Sequence, residues 1–186
     1  LVPWQNNGTY HGIFTRIDLQ NFTTTGVAYL NVTTGNTNAK GFNGGFTDGR
    51  YGYLVPYSNA SSTYHGILTR VDLQNFTTSG VSYLDVSTAG NTNCKGFIGG
   101  FTDGRYGYLV PYTNGSYFGV LTRVDLQNFT TSGVSYIDMT AAGSTSAKGF
   151  MGGFTDGQYG YLVPNYNGTY SGFMARVLIA DVCPNN

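Results

Sequence analysis

A ten-residue string, Thr-Arg-Ile-Asp-Leu-Gln-Asn-Phe-Thr-Thr, begins at Thr15 and returns almost unchanged at Thr69 and Thr122, at steps of 54 and 53 residues. Two other markers keep the same register. Gly-Gly-Phe-Thr-Asp-Gly starts at Gly44, Gly99 and Gly152, and Tyr-Gly-Tyr-Leu-Val-Pro starts at Tyr51, Tyr106 and Tyr159. A chain with one period throughout folds as one supersecondary unit used several times, because each copy buries its apolar surface against the next. The units run approximately over residues 1–39 (partial), 40–94, 95–147 and 148–186 (partial), and together they make a single repeat domain.

Inside a unit, short runs of β-branched and aromatic residues alternate with Gly, Asn, Ser and Asp clusters, the pattern of strands joined by turns. Four strands are expected per unit, in the order a (from Lys95 in the third unit), b (from Tyr106), c (from Phe118) and d (from Gly133). The Asp-Gly pair between a and b supplies a tight hairpin turn in which Gly takes positive φ. Pro56, Pro111 and Pro164 fall at the ends of b strands, where a missing donor does no harm. Leu-Val-Pro at Leu1 matches the end of a b strand, and the repeat decays after Arg176. The expected series is therefore b-c-d, two full units, then a-b-c, fourteen strands in all. Glu is absent, and Tyr, Phe, Thr, Val and Gly dominate, which disfavours helix throughout.

The run Gly-Gly-Phe-Thr-Asp-Gly-Arg-Tyr-Gly-Tyr-Leu-Val-Pro-Tyr, followed by Leu-Thr-Arg-Val-Asp-Leu-Gln-Asn-Phe, resembles the kelch-like β-propeller repeat over nearly the entire chain. Here the Gly pair lies in strand a, whereas in kelch repeats it follows strand b. The resemblance implies an all-β fold of four-stranded antiparallel blades of about 53 residues, repeated about three and a half times, forming a β-propeller or part of one. An open stack of the same units uses the same residues. The Thr-Asp-Gly segments at Thr47, Thr102 and Thr155 also resemble the Asp-box of sialidase-type propellers, which locks a hairpin. The usual Ser and Trp around that box are absent.

Eight Asn-x-Ser/Thr acceptor triplets point to the extracellular space or cell surface: Asn7, Asn21, Asn31, Asn59, Asn75, Asn114, Asn128 and Asn167. Chance placement of the same residues yields roughly three. Asn21, Asn75 and Asn128 open the c-to-d connection, and Asn7, Asn59, Asn114 and Asn167 sit in the b-to-c connection, so covalent glycans are expected in two belts. A formal net charge of zero gives no electrostatic reason to expect nucleic acid. No run of about 18 apolar residues is present, so membrane insertion is not expected.

Charged residues recur once per unit: Arg16, Arg70, Arg123 and Arg176; Asp18, Asp72 and Asp125; Lys40, Lys95 and Lys148; Asp48, Asp103 and Asp156. A residue placed once in every copy serves the copy, by pairing across strands or capping turns. No carboxylate pair is singled out for glycosidase chemistry, and no nucleophile elbow is visible. His11 and His65 lack Cys or Glu neighbours, so zinc is not expected and surface or turn positions are. The chain is read as non-enzymatic, without cofactor or metal. Cys94 and Cys183 occupy non-repeated positions and leave three possibilities: a mutual disulfide, bonds to other chains, or free thiols. The expected role is an extracellular structural glycoprotein, a repeat segment of a cell-surface or matrix polymer or filament assembled with itself through incomplete terminal units. The alternative is a carbohydrate-binding or adhesive propeller with Tyr57, Tyr112 and Tyr166 as stacking platforms.

Overall fold

The computed structural model describes residues 1–179. No α-helix occurs among them, and the strands in chain order are β1 (Gln5–Asn6), β2 (Thr9–Tyr10), β3 (Ile13–Ile17), β4 (Val27–Asn31), β5 (Phe42–Thr47), β6 (Tyr51–Pro56), β7 (Ser58–Ala60), β8 (Thr63–Tyr64), β9 (Ile67–Asp72), β10 (Val81–Asp85), β11 (Phe97–Thr102), β12 (Tyr106–Pro111), β13 (Val120–Asp125), β14 (Val134–Asp138), β15 (Phe150–Thr155), β16 (Tyr159–Pro164) and β17 (Ala175–Leu178). They form small antiparallel sheets: β5-β6-β9-β10, β11-β12-β13-β14, β15-β16-β17 and β3-β4. Leu1 and Thr15 exchange both backbone hydrogen bonds, so the chain start lies along β3 as b lies along c elsewhere.

The strand count differs from fourteen for two local reasons. The first b segment is too short to be a strand of its own. The b-to-c connections, in contrast, fold into small hairpins, β1-β2 and β7-β8. Asn7 at φ 49° and Gly8 at φ 78° make the first of these possible, since both central turn residues need positive φ. The later b-to-c connections pair only as single bridges, Thr113 with Tyr117 and Tyr166 with Tyr170.

Each a-b hairpin is held by one carboxylate. Asp48 Oδ1 accepts from the amides of Arg50 at 3.0 Å and Tyr51 at 2.7 Å, while its Oδ2 accepts from the Tyr53 hydroxyl at 2.8 Å. The Thr47 hydroxyl donates to the Tyr51 carbonyl at 2.8 Å and accepts from the Gly49 amide at 3.0 Å. Asp103 and Asp156 repeat the arrangement with Tyr108 and Tyr161. Charge-assisted bonds to otherwise unpaired turn amides make this the strongest local fastening in the unit. Its aromatic member is drawn in as well: Tyr53 and Tyr108 are almost wholly buried.

The two glycines of each a strand do different work. Gly44 lies in a bulge between Phe42 and Gly45, at φ 79°. A Cβ there would come 2.8 Å from the Gly99 Cα, and one on Gly99 would come 3.2 Å from that of Gly152, so β5, β11 and β15 touch backbone to backbone. The second glycine is a seat. Phe46 stacks on Tyr53 of its own unit, centroids 4.8 Å apart, and lies over Gly100 and Gly107 of the next. Phe101 repeats this with Tyr108, Gly153 and Gly160. The cores accordingly lie between sheets rather than within them. One joins Leu30 and Val32 to Phe42, Leu54, Ile67 and Val71; the next joins Tyr53, Val55 and Leu68 to Leu109 and Val124; the last joins Val110 and Leu121 to Leu162 and Ala175.

A Gly107→Ala substitution places its Cβ 2.5 Å from the Phe46 ring, so we expect it to destabilise the chain by about 1–3 kcal/mol in urea titrations through overpacking alone. Gly172→Ala, where a Cβ meets nothing within 4 Å, is the neutral control. Asp103→Ala removes the hairpin fastening and exceeds the cost of an ordinary hydrogen bond, at about 2–4 kcal/mol.

Candidate functional site

The c-to-d connections are built alike in three units. In the second, Asp72 Oδ1 accepts from the amides of Gln74 at 2.9 Å and Asn75 at 3.3 Å, which turns the chain off β9. The Thr77 hydroxyl donates to Asn75 Oδ1 at 2.8 Å, and Asn75 Nδ2 donates to Ser79 Oγ at 3.3 Å. Asn21 and Asn128 make the same two contacts with Thr23 and Thr25, and with Thr130 and Ser132. All three acceptor asparagines are exposed. N-linked attachment consumes one of the two Nδ2 hydrogens and leaves the other for the loop bond, so loop and glycan are compatible.

The second set is more enclosed. Asn59, Asn114 and Asn167 are half-buried, and each donates from Nδ2 to a backbone carbonyl in the connection leading to its own unit's a strand: Asn38 at 3.4 Å, Asn93 at 3.3 Å and Ser146 at 3.2 Å. Asn7 is exposed in its hairpin turn. Asn31 caps a 3₁₀ turn, accepting from the Thr33 amide at 3.0 Å, as Asp85 and Asp138 do from Ser87 and Thr140.

The repeated arginines and aspartates are engaged locally. Arg50 pairs with Asp72 at 3.1 Å and Arg105 with Asp125 at 3.4 Å; in the fourth unit Gln158 and Leu178 replace both partners together. The hydrogen bond from Arg50 holds the Asp72 carboxyl below the usual carboxylate range. Arg70 lies over Tyr51 of its own unit at 4.6 Å and over Phe129 of the next at 4.2 Å, and Arg16 lies over Phe76 at 4.6 Å. The c-to-d phenylalanines thus bind unit to unit through cation–π contacts. No cluster of metal-ligating side chains occurs among the described residues.

Tyr57, Tyr112 and Tyr166 come together in an aromatic ladder that sequence reading grasped only in part. The series runs Trp4–Tyr57 at 6.4 Å, Tyr57–Tyr112 at 6.4 Å, Tyr112–Tyr117 at 5.5 Å, Tyr117–Tyr166 at 5.1 Å and Tyr166–Tyr170 at 5.3 Å, with Tyr64 edge-on to Tyr57 at 5.5 Å. Burial among these rings pushes the Tyr57 hydroxyl well above its ordinary range, helped by Tyr64. The three tyrosines are half-buried and mostly edge-packed, while Trp4 and Tyr170 at the two ends are exposed. Trp4, Tyr64, Tyr117 and Tyr170 are the members missed; Trp4 stands in the slot of Tyr57 and Tyr112, and the signal for the other three was a second aromatic at the far end of each b-to-c connection.

His65 departs from the surface position expected for it. It is buried, with Nδ1 accepting from the Ile67 amide at 3.3 Å and its ring edge-on to Phe42 at 5.8 Å. Phe118 fills the same slot against Phe97 in the third unit, also at 5.8 Å, so this is an aromatic packing position that happens to carry an imidazole. Cys94 is fully buried in the slot taken by Ala39 and Ala147, and burial pushes its thiol up. Cys183 lies outside the described residues, and with it the choice among a mutual disulfide, bonds to other chains and free thiols.

No protein-family model and no curated protein matches this chain. Among solved structures, hydrazine synthase of Kuenenia stuttgartiensis is similar in fold, with a TM-score of 0.59 and 17% identity over 90% of this chain and 40% of that one. The likeness extends to the β-rich fold, and this chain spans less than half of that longer one.

Desolvation lowers the His65 pKa from 6.5 to about 4. The fold therefore favours the neutral ring: its contribution is complete above pH 6.5 and is lost as the pH falls toward 4. Urea titrations at pH 7 and pH 4 are expected to show that His65→Phe removes about 3 kcal/mol of the acid-induced loss of stability; an unchanged pH dependence would mean that the imidazole is already solvated.

Proposed function

We propose that this chain is an extracellular structural glycoprotein, a repeat segment of a cell-surface or matrix polymer whose four-stranded units are the blades of a kelch-like β-propeller or part of one. It is non-enzymatic and works without a cofactor. The observation that carries the reading is the threefold recurrence of one exposed acceptor loop, Asn21, Asn75 and Asn128, each built by the same hydrogen bonds. The repeated aspartates and arginines are spent in hairpin fastenings, loop caps and ring contacts. The blade reading is supported by the meander order of each sheet and by the a strands lying side by side.

The faces of the first and fourth units carry apolar side chains whose internal equivalents are covered by a neighbouring unit. Ile98, Phe101, Val110 and Leu121 are 8%, 7%, 0% and 3% exposed under the fourth unit, whereas their counterparts Met151, Phe154, Val163 and Met174 are 50%, 52%, 37% and 53% exposed. Leu1, Ile13, Leu19 and Phe22 are likewise exposed at the other end. An apolar face whose internal equivalents are all covered favours another unit of the same kind as its cover. A second reading, sugar binding, draws on the aromatic ladder and its exposed ends Trp4 and Tyr170.

Glycopeptide mass spectrometry of the native material tests the first reading. Glycan at Asn21, Asn75 and Asn128 in protein recovered from outside the cell is the expected result. Unmodified asparagine at all three, or protein retained inside the cell, would overturn it.

A further inference from the structure

At each joint between units, a tyrosine from the far end of one b-to-c connection stands beside the tyrosine that follows the next b strand: Tyr10 with Tyr57, Tyr64 with Tyr112, and Tyr117 with Tyr166. In the last pair the ring centroids are 5.1 Å apart and the planes cross at 63°, so the rings are in contact. Glycines seat the first ring of the other two pairs. Gly41 at φ 70° and Gly96 at φ 76° lack the Cβ that would come 2.6 Å from the Tyr10 ring and 3.0 Å from the Tyr64 ring, so each ring rests directly on backbone. The tyrosines within the sheets give their hydroxyls to carboxylates, Tyr53 to Asp48 and Tyr108 to Asp103. Those of the ladder face one another instead. Burial raises the Tyr57 and Tyr112 hydroxyls, and the neighbours that raise them further are phenols: Tyr64, Tyr112 and Tyr10 for the first, Tyr117, Tyr64 and Tyr170 for the second. All six paired rings are half-buried, so each keeps part of its surface in solvent.

We propose that these joints are sites of oxidative cross-linking, at which hydrogen peroxide acting through a haem peroxidase joins the paired tyrosines as dityrosine, Tyr117 to Tyr166 before the others. The oxidant takes one electron and the phenolic proton from each of the two tyrosines. The resulting phenoxyl radicals carry unpaired spin on the ring carbons next to the oxygen, and a carbon–carbon bond forms between a Cε of one ring and a Cε of the other. The hydrogens on the joined carbons then move to the two oxygens, which restores both phenols. The chain has lost two hydrogen atoms, and one peroxide has become two waters. Rings in contact pass an electron between them, so two separate oxidations along the ladder can meet at one joint. The bridge ties consecutive units together through their b-to-c connections and closes a long loop of chain, which restricts the unfolded state. The proposal rests on the extracellular structural reading only for the source of the peroxide.

The test treats the dilute full chain with hydrogen peroxide and a haem peroxidase, then isolates the monomer and measures dityrosine fluorescence and intact mass. Trypsin cuts after Arg105, Arg123 and Lys148, so Tyr117 and Tyr166 fall on separate peptides and their bridge is read directly by mass spectrometry. The expected product is a monomer lighter by two hydrogens, with those two peptides joined and its urea unfolding midpoint raised. Tyr117→Phe keeps the ring and is expected to abolish this bridge; should that variant unfold in circular dichroism, Tyr166→Phe is expected to do the same. Tyr29→Phe and Tyr136→Phe remove exposed tyrosines outside the ladder and are expected to leave the yield unchanged. Monomer without dityrosine, cross-links confined to dimers through Tyr29, Tyr136 or Tyr170, or an equal yield of the same bridge from chain unfolded in urea would each overturn the proposal. Because the peroxide is supplied in the experiment, such a failure leaves the structural reading standing, while glycopeptide mapping of native material tests that reading separately.

Discussion

The architecture depends on one contact made between units: an aromatic ring laid across two glycines of the next sheet. Phe46 over Gly100 and Gly107, and Phe101 over Gly153 and Gly160, bring the sheets close enough for their apolar faces to meet. Neither partner works alone. The ring needs the absence of Cβ atoms beneath it, and the glycines, which weaken a strand by about 0.5–1 kcal/mol each relative to alanine, regain that cost only when a ring covers them. The stack is thus cooperative by construction: a unit folded by itself would carry weak strands and an uncovered phenylalanine.

Much of this was legible in the residues, because periodicity reports what is reused. The Asp-Gly turns, the meander order and the all-β class follow from strings that recur three times. Other features escaped because the sequence marks position and not partner. Two neighbouring glycines read as one motif, yet Gly44 admits a backbone contact and a bulge while Gly45 belongs to the row of seats. Asp48 read as a turn residue, but its second oxygen reaches Tyr53 within the sheet. His65 read as a polar loop residue because only its equivalence to Phe118 betrays a packing slot. The b-to-c hairpins escaped because their strands are two or three residues long, too short for any alternation to show.

The exposed acceptor loops of Asn21, Asn75 and Asn128 lie in the c-to-d connections and the aromatic ladder in the b-to-c connections, so the physical demands of these two features do not compete. The loops stay exposed because Asp caps and Thr–Asn bonds satisfy their polar groups locally. The ladder tolerates half-burial because tyrosine edges pack on one another. In the fourth unit the paired replacement of Arg105 and Asp125 by Gln158 and Leu178 removes a charge of each sign at once, which avoids leaving a carboxylate or a guanidinium without its counter-ion.

Where β5, β11 and β15 meet, no side chain separates them. That margin cannot be compressed further, and it behaves as a fixed fulcrum. The splay between consecutive sheets is then set at the opposite margin, where Tyr83 reaches Val32 at 2.6 Å and Tyr136 reaches Gly90 at 3.4 Å. A lever of this kind turns differences of one methylene at the outer margin into differences of angle, so an array of such units can vary its curvature from one joint to the next without altering any strand.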